Sequence, residues 1–292
     1  GRRIVALDRR APIADGAFIL YFFRPNGDIG HRWHAERIFR MILTRLAWRA
    51  PFAARHIKRT FAASRDDEPG QPDRCVIEFA LDVARAALDA DISEIRLRAG
   101  ALGWDIELWP GEHYRLLAAI VQRLQPRTVV EIGTLTGLST LSLCRYLPEG
   151  GTVTTFDIVP WTRVPGTLFR SEDFDGGRLR QVIGDLADPV VFQEHAALLA
   201  SADFIFVDGP KDRRFEPAFA AHLDTLTFTR PPWVLFDDIR ELNMLRFWRE
   251  LAKPKLDLTS FGHWTGTGLV RWTAGSPARN GTSRRAADAV GQ

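Results

Sequence analysis

The stretch TVVEIGTLTGLS, residues 128–139, decides the fold of this chain. It opens with a short β-branched, apolar run, which predicts a buried strand of a parallel sheet. Gly133 breaks that strand, and apolar residues at helical spacing predict a helix over about 138–146. A strand, a glycine turn and a helix in this order allow the backbone to approach a ligand closely, with helix N–H groups pointing at it.

Two carboxylates accompany this turn. Glu131 ends the buried strand, where an unpaired charge is costly, so we expect a ligand or a cation beside it. Residues 151–157 predict the next strand, which ends at Asp157. An acid at that position suits hydrogen bonds to ribose hydroxyls, as in other nucleotide-binding βαβ units. The glycine spacing taken alone is also that of an ordinary βα loop.

The acid, the glycine turn and the second acid together resemble the first motifs of class I S-adenosylmethionine-dependent methyltransferases. That resemblance implies that the methionine part of the cofactor is held by Glu131 and the turn residues Gly133, Thr134, Gly137 and Ser139. A dinucleotide-binding loop carries a third glycine, and its absence disfavours a nicotinamide-dependent oxidoreductase.

The same resemblance assigns the rest of the cofactor to residues at the ends of later strands. It implies that Asp157 binds the ribose, that Ile158 packs against the adenine, and that Asp185 reaches the adenine amino group. Asp208, at the end of a further strand, is assigned to the cofactor site as well. A helix over 113–124 is expected to cover the cofactor pocket.

Beyond the turn, strands and helices alternate along the chain. This pattern predicts a doubly wound, mostly parallel Rossmann-like sheet with ligands at the carboxyl ends of its strands. An antiparallel hairpin is expected to end it. The predicted segments are strands at 179–183, 202–208 and 233–238, helices at 76–90, 189–200, 215–226 and 242–251, and a hairpin from 256–261 and 268–272.

The domain organisation follows from shifts in composition. Residues 1–108 are predicted to be an N-terminal extension whose basic amphipathic helix, at about 31–61, serves as a lid over the active site or as a packed helix. Residues 109–273 are the predicted methyltransferase domain. The tail 274–292, rich in Gly, Ser, Pro and Arg, is expected to be disordered.

The bulk composition excludes few classes of protein. A hydrophobic content of 46% with 26% charged residues is ordinary for a globular protein, and the net charge of +3 gives no reason to expect nucleic acid. Cys75 and Cys144 lack metal-binding spacing, which favours a reduced, cytoplasmic protein. The apolar run at 17–23 is too short to span a bilayer, so no transmembrane segment is expected. A homodimer is left open.

A second informative stretch is DGPKDR, residues 208–213. It resembles the D-x-x-K-D-R segment of metal-dependent O-methyltransferases similar to catechol O-methyltransferase. The resemblance implies that Asp208, Asp237 and Asp238 bind Mg²⁺ and that Lys211 is the general base for the acceptor hydroxyl. The alternative interpretation is that the three aspartates cap the helices that follow them.

Lysine is the residue type that this proposed base requires. Arginine is not deprotonated in proteins, and the chain has lysine only at positions 58, 211, 253 and 255. Three nearby carboxylates would raise the pKa of Lys211 and spoil it as a base, whereas a bound cation would reverse that field. The proposed role of Lys211 as a base and the proposed metal site therefore depend on each other.

The sequence thus predicts an S-adenosylmethionine-dependent methyltransferase that acts on a small-molecule hydroxyl, with help from Mg²⁺. No N/D-P-P-Y/F segment follows the strand that ends at Asp208, which argues against a nitrogen-directed enzyme. The remaining alternatives are a metal-independent methyltransferase of the same fold, a nicotinamide-dependent oxidoreductase and a non-catalytic cofactor-binding protein.

Overall fold

A seven-stranded sheet forms the centre of the computed structural model, which describes residues 69–102 and 106–273. The strands are β1 Thr128–Ile132, β2 Thr152–Asp157, β3 Leu179–Ile183, β4 Phe204–Val207, β5 Trp233–Asp237, β6 Lys255–Asp257 and β7 Thr267–Arg271. Their order is β3-β2-β1-β4-β5-β7-β6. Strands β1 to β5 are parallel, and β7 is antiparallel to both β5 and β6. The predicted fold class, including the antiparallel C-terminal hairpin, is confirmed.

Eight α-helices are described around this sheet. They are α1 Arg74–Asp89, α2 Ser93–Ala101, α3 His113–Leu124, α4 Leu138–Cys144, α5 Pro189–Glu194, α6 Ala196–Ala200, α7 Phe215–Leu223 and α8 Leu242–Glu250. The single helix predicted at 189–200 is two helices, because His195 departs from helical geometry with φ −109° and ψ 8°. Helix α2 was not predicted, since only Ile95 and Ala99 of its residues are buried and its sequence lacks an apolar stripe.

The sheet has a hydrophobic core on each of its faces. Successive side chains of a strand point to opposite faces, so Val129 and Phe206 lie in one core while Val130 and Val207 lie in the other. Strand β4 is apolar throughout because both of its faces are covered. Helices α1, α2 and α3 share one of these cores.

Several predictions from the sequence concern residues outside the described part of the chain. They are the basic helix at 31–61 and its lid role, and the tail at 274–292. The domain boundary at residue 109 stays a prediction as well. Among the described residues, no helix is long and apolar enough to span a lipid bilayer.

Gly133 lies where the ends of β1 and β4 come closest. A Cβ atom at this position would lie 2.2 Å from the carbonyl oxygen of Asp208. The backbone φ of Gly133 is +98°, a conformation that L-residues with side chains rarely adopt. The glycine break predicted from the sequence is therefore a steric requirement of the sheet edge.

We expect Gly133→Ala to lower the free energy of unfolding far more than Gly150→Ala does. Gly150 has φ +72°, and a Cβ atom there would have no neighbour within 4 Å, so this variant carries the backbone strain without the clash. The difference should be about 1–3 kcal/mol, the usual cost of overpacking. Chemical denaturation measures both variants, and equal losses would contradict the close approach.

Candidate active site

Three carboxylates meet at the carboxyl edge of β4 and β5. These strands are parallel and Val207 pairs with Phe236, so Asp208 and Asp237 follow at the same level. One oxygen from each of Asp208, Asp237 and Asp238 lies within 4.8 Å of the other two. The structure thus brings the predicted ligand set together, while its role in binding metal stays a proposal.

Lys211 lies between two of these carboxylates. Its ammonium group contacts Asp208, and its Nζ is 3.0 Å from Oδ2 of Asp238. Burial opposes the charge on Lys211, but the carboxylates of Asp208, Asp238 and Asp237 outweigh it and raise the pKa well above its usual range. Lys211 therefore carries its proton at neutral pH in this arrangement.

The two carboxylates beside Lys211 differ in their acidity. Burial raises the pKa of Asp208 to about 6, because it outweighs the attraction of Lys211. Burial also opposes the charge on Asp238, but Lys211, hydrogen bonding to Thr265 and the nearby His263 together lower the pKa of that carboxyl. Both are ionised at neutral pH, and their described contacts are with Lys211 and Thr265 rather than with the helices that follow.

The backbone of Lys211 is held by a buried acid that sequence reasoning missed. Lys211 has φ +53°, and its N–H donates to Oε1 of Glu216 at 2.9 Å. Glu216 lies in the first turn of α7 and is only 1% exposed. Oδ1 of Asp212 accepts from the N–H groups of Arg214 and Phe215, where α7 begins.

A histidine that the sequence analysis also missed contacts the third carboxylate. Nε2 of His263 is 2.6 Å from Oδ1 of Asp237, and its Nδ1 contacts the hydroxyl of Thr265. Burial opposes the charge on His263, but Asp237 outweighs it and raises the pKa of the imidazole. His263 lies in the connection between β6 and β7, and no motif in the sequence marks it.

His113, the first residue of α3, lies beside this pair. Its ring meets that of His263 edge-on, with centroids 4.4 Å apart and planes at 87°. Burial is the main cause that holds the pKa of His113 well below its usual range. The neutral imidazole therefore has one lone pair available as an acceptor or ligand.

Glu131 is completely buried at the end of β1. The hydroxyl of Thr140 donates to its Oε2, whereas its Oε1 has no partner among the described residues. Burial is the main cause that raises the pKa of Glu131 to about 7. The sequence suggested a ligand or a cation beside Glu131. The Thr140 hydroxyl supplies one of the contacts that this carboxyl group needs, and Oε1 stays available for another donor.

Asp157 holds the glycine turn in place. Its Oδ2 accepts from the N–H groups of Thr134 and Leu135, both at 3.0 Å, and its Oδ1 accepts from Val159 at 3.0 Å. Oδ2 thus uses both of its lone pairs, whereas Oδ1 keeps a second lone pair, which is what a ribose hydroxyl would need. Sequence reasoning anticipated the position of Asp157 but not its contacts with the turn.

The other predicted cofactor residues differ in their surroundings. Thr134 and Ser139 are buried, and the Thr134 hydroxyl lies 2.7 Å from that of Thr155. Ile158 is 68% exposed beside the turn, as a residue that packs against a ligand should be. Asp185 lies beyond β3 and uses one oxygen to accept from Ala187 at 2.8 Å.

An aromatic cluster in the connection between β2 and β3 covers part of the turn. Trp161 stacks on Phe174 with centroids 5.1 Å apart, and Phe169 meets both rings edge-on. A Cβ atom at Gly137 would lie 2.6 Å from the ring of Phe169. Sequence reasoning missed this cluster because its residues follow neither a helical nor a strand period.

We expect Glu131 to make stability depend on pH. Its folded pKa of about 7 lies above the ordinary 4.5, so the folded state holds a proton that the unfolded chain releases. The free energy of unfolding should fall by about 3 kcal/mol as the pH rises through this range, since each tenfold change in proton affinity is worth about 1.4 kcal/mol. Glu131→Gln should remove this component, as urea titrations of both proteins will show. Identical pH dependence would contradict the buried acid.

Comparison with known proteins adds evidence on the family. Residues 130–239 match the model of a family described as a methyltransferase domain. Two curated relatives, each named transmembrane O-methyltransferase and found in Homo sapiens and Pan troglodytes, are 31% identical over 94 residues. The match covers 32% of this chain and 32% of each relative, so the chain spans about a third of their length.

Solved structures of low similarity are also found. An O-methyltransferase from Bacillus cereus in complex with SAH is 20% identical, with a TM-score of 0.45, over 62% of this chain and 90% of that one. The O-methyltransferase TomG from Streptomyces achromogenes, in complex with SAM, is 18% identical, with a TM-score of 0.47, over 66% of this chain and 96% of that one.

The family match covers the segment from β1 to the end of β5, which carries both the glycine turn and the acidic edge. Strands β2 and β3 lie on one side of β1, and β4 and β5 lie on the other, so the strand order reverses beside β1. Ligands bind at such a switch point in open α/β sheets. Residues 130–239 of this chain therefore match a methyltransferase domain, and the ligand-binding edge expected from the strand order lies within that match.

Proposed function

We propose that this protein transfers the methyl group of S-adenosylmethionine to a hydroxyl oxygen of a small molecule. The observation that carries the proposal is the contact between Gly133 of the cofactor turn and Asp208 of the acidic cluster, where no side chain fits. The cofactor-binding half and the acid–base half of the site adjoin there. Methyl transfer needs such an adjacency, because it is accelerated mainly by alignment of donor and acceptor.

The residues present fit the cofactor. Glu131 keeps one buried oxygen without a partner, which is available to a donor such as the amino group of the methionine part. Asp157 keeps one lone pair, on Oδ1, for a ribose hydroxyl, and the exposed Ile158 offers an apolar surface for adenine. Bound S-adenosylmethionine supplies an electrophilic methyl group on a sulfonium centre.

The acidic cluster fits a hard cation. Asp208, Asp237 and Asp238 offer carboxylate oxygens, the ligands that Mg²⁺ prefers. A bound Mg²⁺ would supply positive charge that offsets these carboxylates and favours ionisation of a hydroxyl beside it. The same carboxylates raise the pKa of Lys211 in the metal-free arrangement. Because a bound Mg²⁺ would offset their charge, we propose that Lys211 then serves as the base.

One observation favours a metal-independent enzyme as the second candidate. Lys211 already pairs with Asp208 and Asp238, and His263 pairs with Asp237, so each of the three acids has a cationic partner without metal. In such an enzyme Lys211 would stay protonated, and catalysis would come mainly from positioning.

An acceptor screen tests the proposed activity. Phenolic, sugar and polyketide-like hydroxyl compounds are incubated with the protein and S-adenosylmethionine, with and without Mg²⁺, and formation of S-adenosylhomocysteine is measured. Acceptor-dependent formation of that product is the expected result. A protein that binds the cofactor and converts none of these classes would instead be a non-catalytic cofactor-binding protein.

We expect Asp157→Ala to weaken S-adenosylmethionine binding by about tenfold or more. The variant loses charge-assisted hydrogen bonds, worth about 1.5–3 kcal/mol, from both the ribose and the turn that Asp157 holds. Isothermal titration calorimetry measures the affinity. Asp175→Ala, which removes an exposed aspartate of the β2–β3 connection, serves as the control and should bind normally. Unchanged affinity in folded Asp157→Ala would remove this residue from the site.

The metal and the lysine are tested together. Chelation with EDTA should abolish methyl transfer and spare cofactor binding, and added Mg²⁺ should restore it. Lys211→Arg should fail nearly as badly as Lys211→Met, because a guanidinium keeps the charge without becoming a base. Arg214→Met, at an exposed neighbouring position, should keep its activity. Full activity after chelation, or in Lys211→Arg, would favour the metal-independent candidate.

A further inference from the structure

Three buried side chains with metal-ligating groups converge beside the acidic cluster. His113, Asp237 and His263 are 4%, 5% and 6% exposed. One nitrogen or oxygen atom from each lies within 4.8 Å of the other two. The three come from separate elements, namely the start of α3, the end of β5 and the β6–β7 connection, so the convergence depends on the fold.

His113 has a polar atom that the described residues leave unsatisfied. Its Nδ1 is buried and has no hydrogen-bond partner among them. Leaving a buried polar atom unpaired costs about 1–3 kcal/mol. The ring lies edge-on to that of His263, at a centroid distance of 4.4 Å. A ligand bound at Nδ1 would remove the cost.

His263 has the surroundings of a metal-binding histidine. In metal sites the ligating imidazole usually donates its second N–H to an oxygen, which fixes its tautomer and orientation. The Thr265 hydroxyl is in contact with Nδ1 of His263 and can accept that hydrogen bond. Nε2, which contacts Oδ1 of Asp237 at 2.6 Å, would supply its lone pair to a metal ion that replaces the proton between them.

The backbone around this group is well anchored. Residue His263 forms a β-bridge with Pro110, and the N–H of Trp264 donates to the carbonyl of Trp109 at 2.9 Å. The N–H of Glu112, just before His113, donates to the carbonyl of Phe261 at 2.9 Å. These bonds tie the segment that carries His113 to the segment that carries His263.

We propose that His113, Asp237 and His263 bind a divalent transition-metal ion of the zinc class. Two imidazoles and one carboxylate suit Zn²⁺ and Co²⁺, whereas Mg²⁺ prefers oxygen ligands alone. Three protein ligands leave a further coordination position for a water or a substrate atom. This site extends beyond the three-aspartate group and shares only Asp237 with it. It does not depend on methyl transfer.

Binding of Co²⁺ to the chelator-stripped full chain tests the site. Co²⁺ is titrated by calorimetry and by visible absorption, whose bands intensify when nitrogen and carboxylate ligands replace water in a low-coordinate site. We expect saturable Co²⁺ binding that Zn²⁺ displaces and Mg²⁺ does not. His113→Gln and His263→Gln should each weaken it by about tenfold or more, since even the loss of a hydrogen-bond partner of a metal ligand typically costs about 10–100-fold in affinity.

Two controls make the result decisive. His222→Gln changes a histidine that contacts the Leu186 carbonyl at a distance from the group, and it should bind Co²⁺ normally. His195→Gln should also bind normally, because His195 packs against Phe156 and does not belong to the group. The proposal is overturned if Co²⁺ does not bind, or if binding is unchanged in His113→Gln and in folded His263→Gln. Cofactor affinity of the same proteins tests the methyltransferase proposal separately.

Discussion

The close approach of β1 and β4 is the constraint on which the rest of the site depends. Where these strands end, Gly133 lies against the carbonyl of Asp208, and the N–H of Asp208 in turn donates to the carbonyl of Ile132 at 2.8 Å. The glycine turn and the acidic segment therefore lie side by side at the carboxyl edge of the sheet. Asp157 adds a second restraint, because it ties the turn to the end of β2.

Charge balance is the second feature that shapes the site. Asp208, Asp237 and Asp238 lie close together in a poorly solvated edge, and Lys211 and His263 supply positive charge against them. The three carboxylates keep Lys211 protonated in this arrangement. Any role for Lys211 as a base therefore needs a further positive charge, such as that of a bound cation.

The sequence predicted those features that local pattern and spacing encode. The buried strand at 128–132, the glycine turn and the acids at strand ends could be found because each has a local signature: a β-branched run, a glycine that ends a strand, or a carboxylate at the end of a strand. The three aspartates could be grouped because parallel strands deliver their ends to one edge.

What was missed arises from contacts between distant segments. His113 and His263 are far apart in the sequence, and backbone bonds between the segments that carry them bring them together. Glu216 looks like an ordinary first-turn acid of a helix, and its contact with the backbone of Lys211 depends on a positive φ that the sequence does not announce. The second role of Asp157, in holding the turn, is likewise visible only in three dimensions.

The central claim is that the turn between β1 and α4 binds S-adenosylmethionine rather than a dinucleotide. Calorimetric titration of the full chain with S-adenosylmethionine, and separately with NAD⁺, tests it most directly. The account predicts saturable binding of S-adenosylmethionine and no binding of NAD⁺, because the turn lacks the third glycine that a dinucleotide pyrophosphate requires. Binding of NAD⁺ with no affinity for S-adenosylmethionine would contradict it.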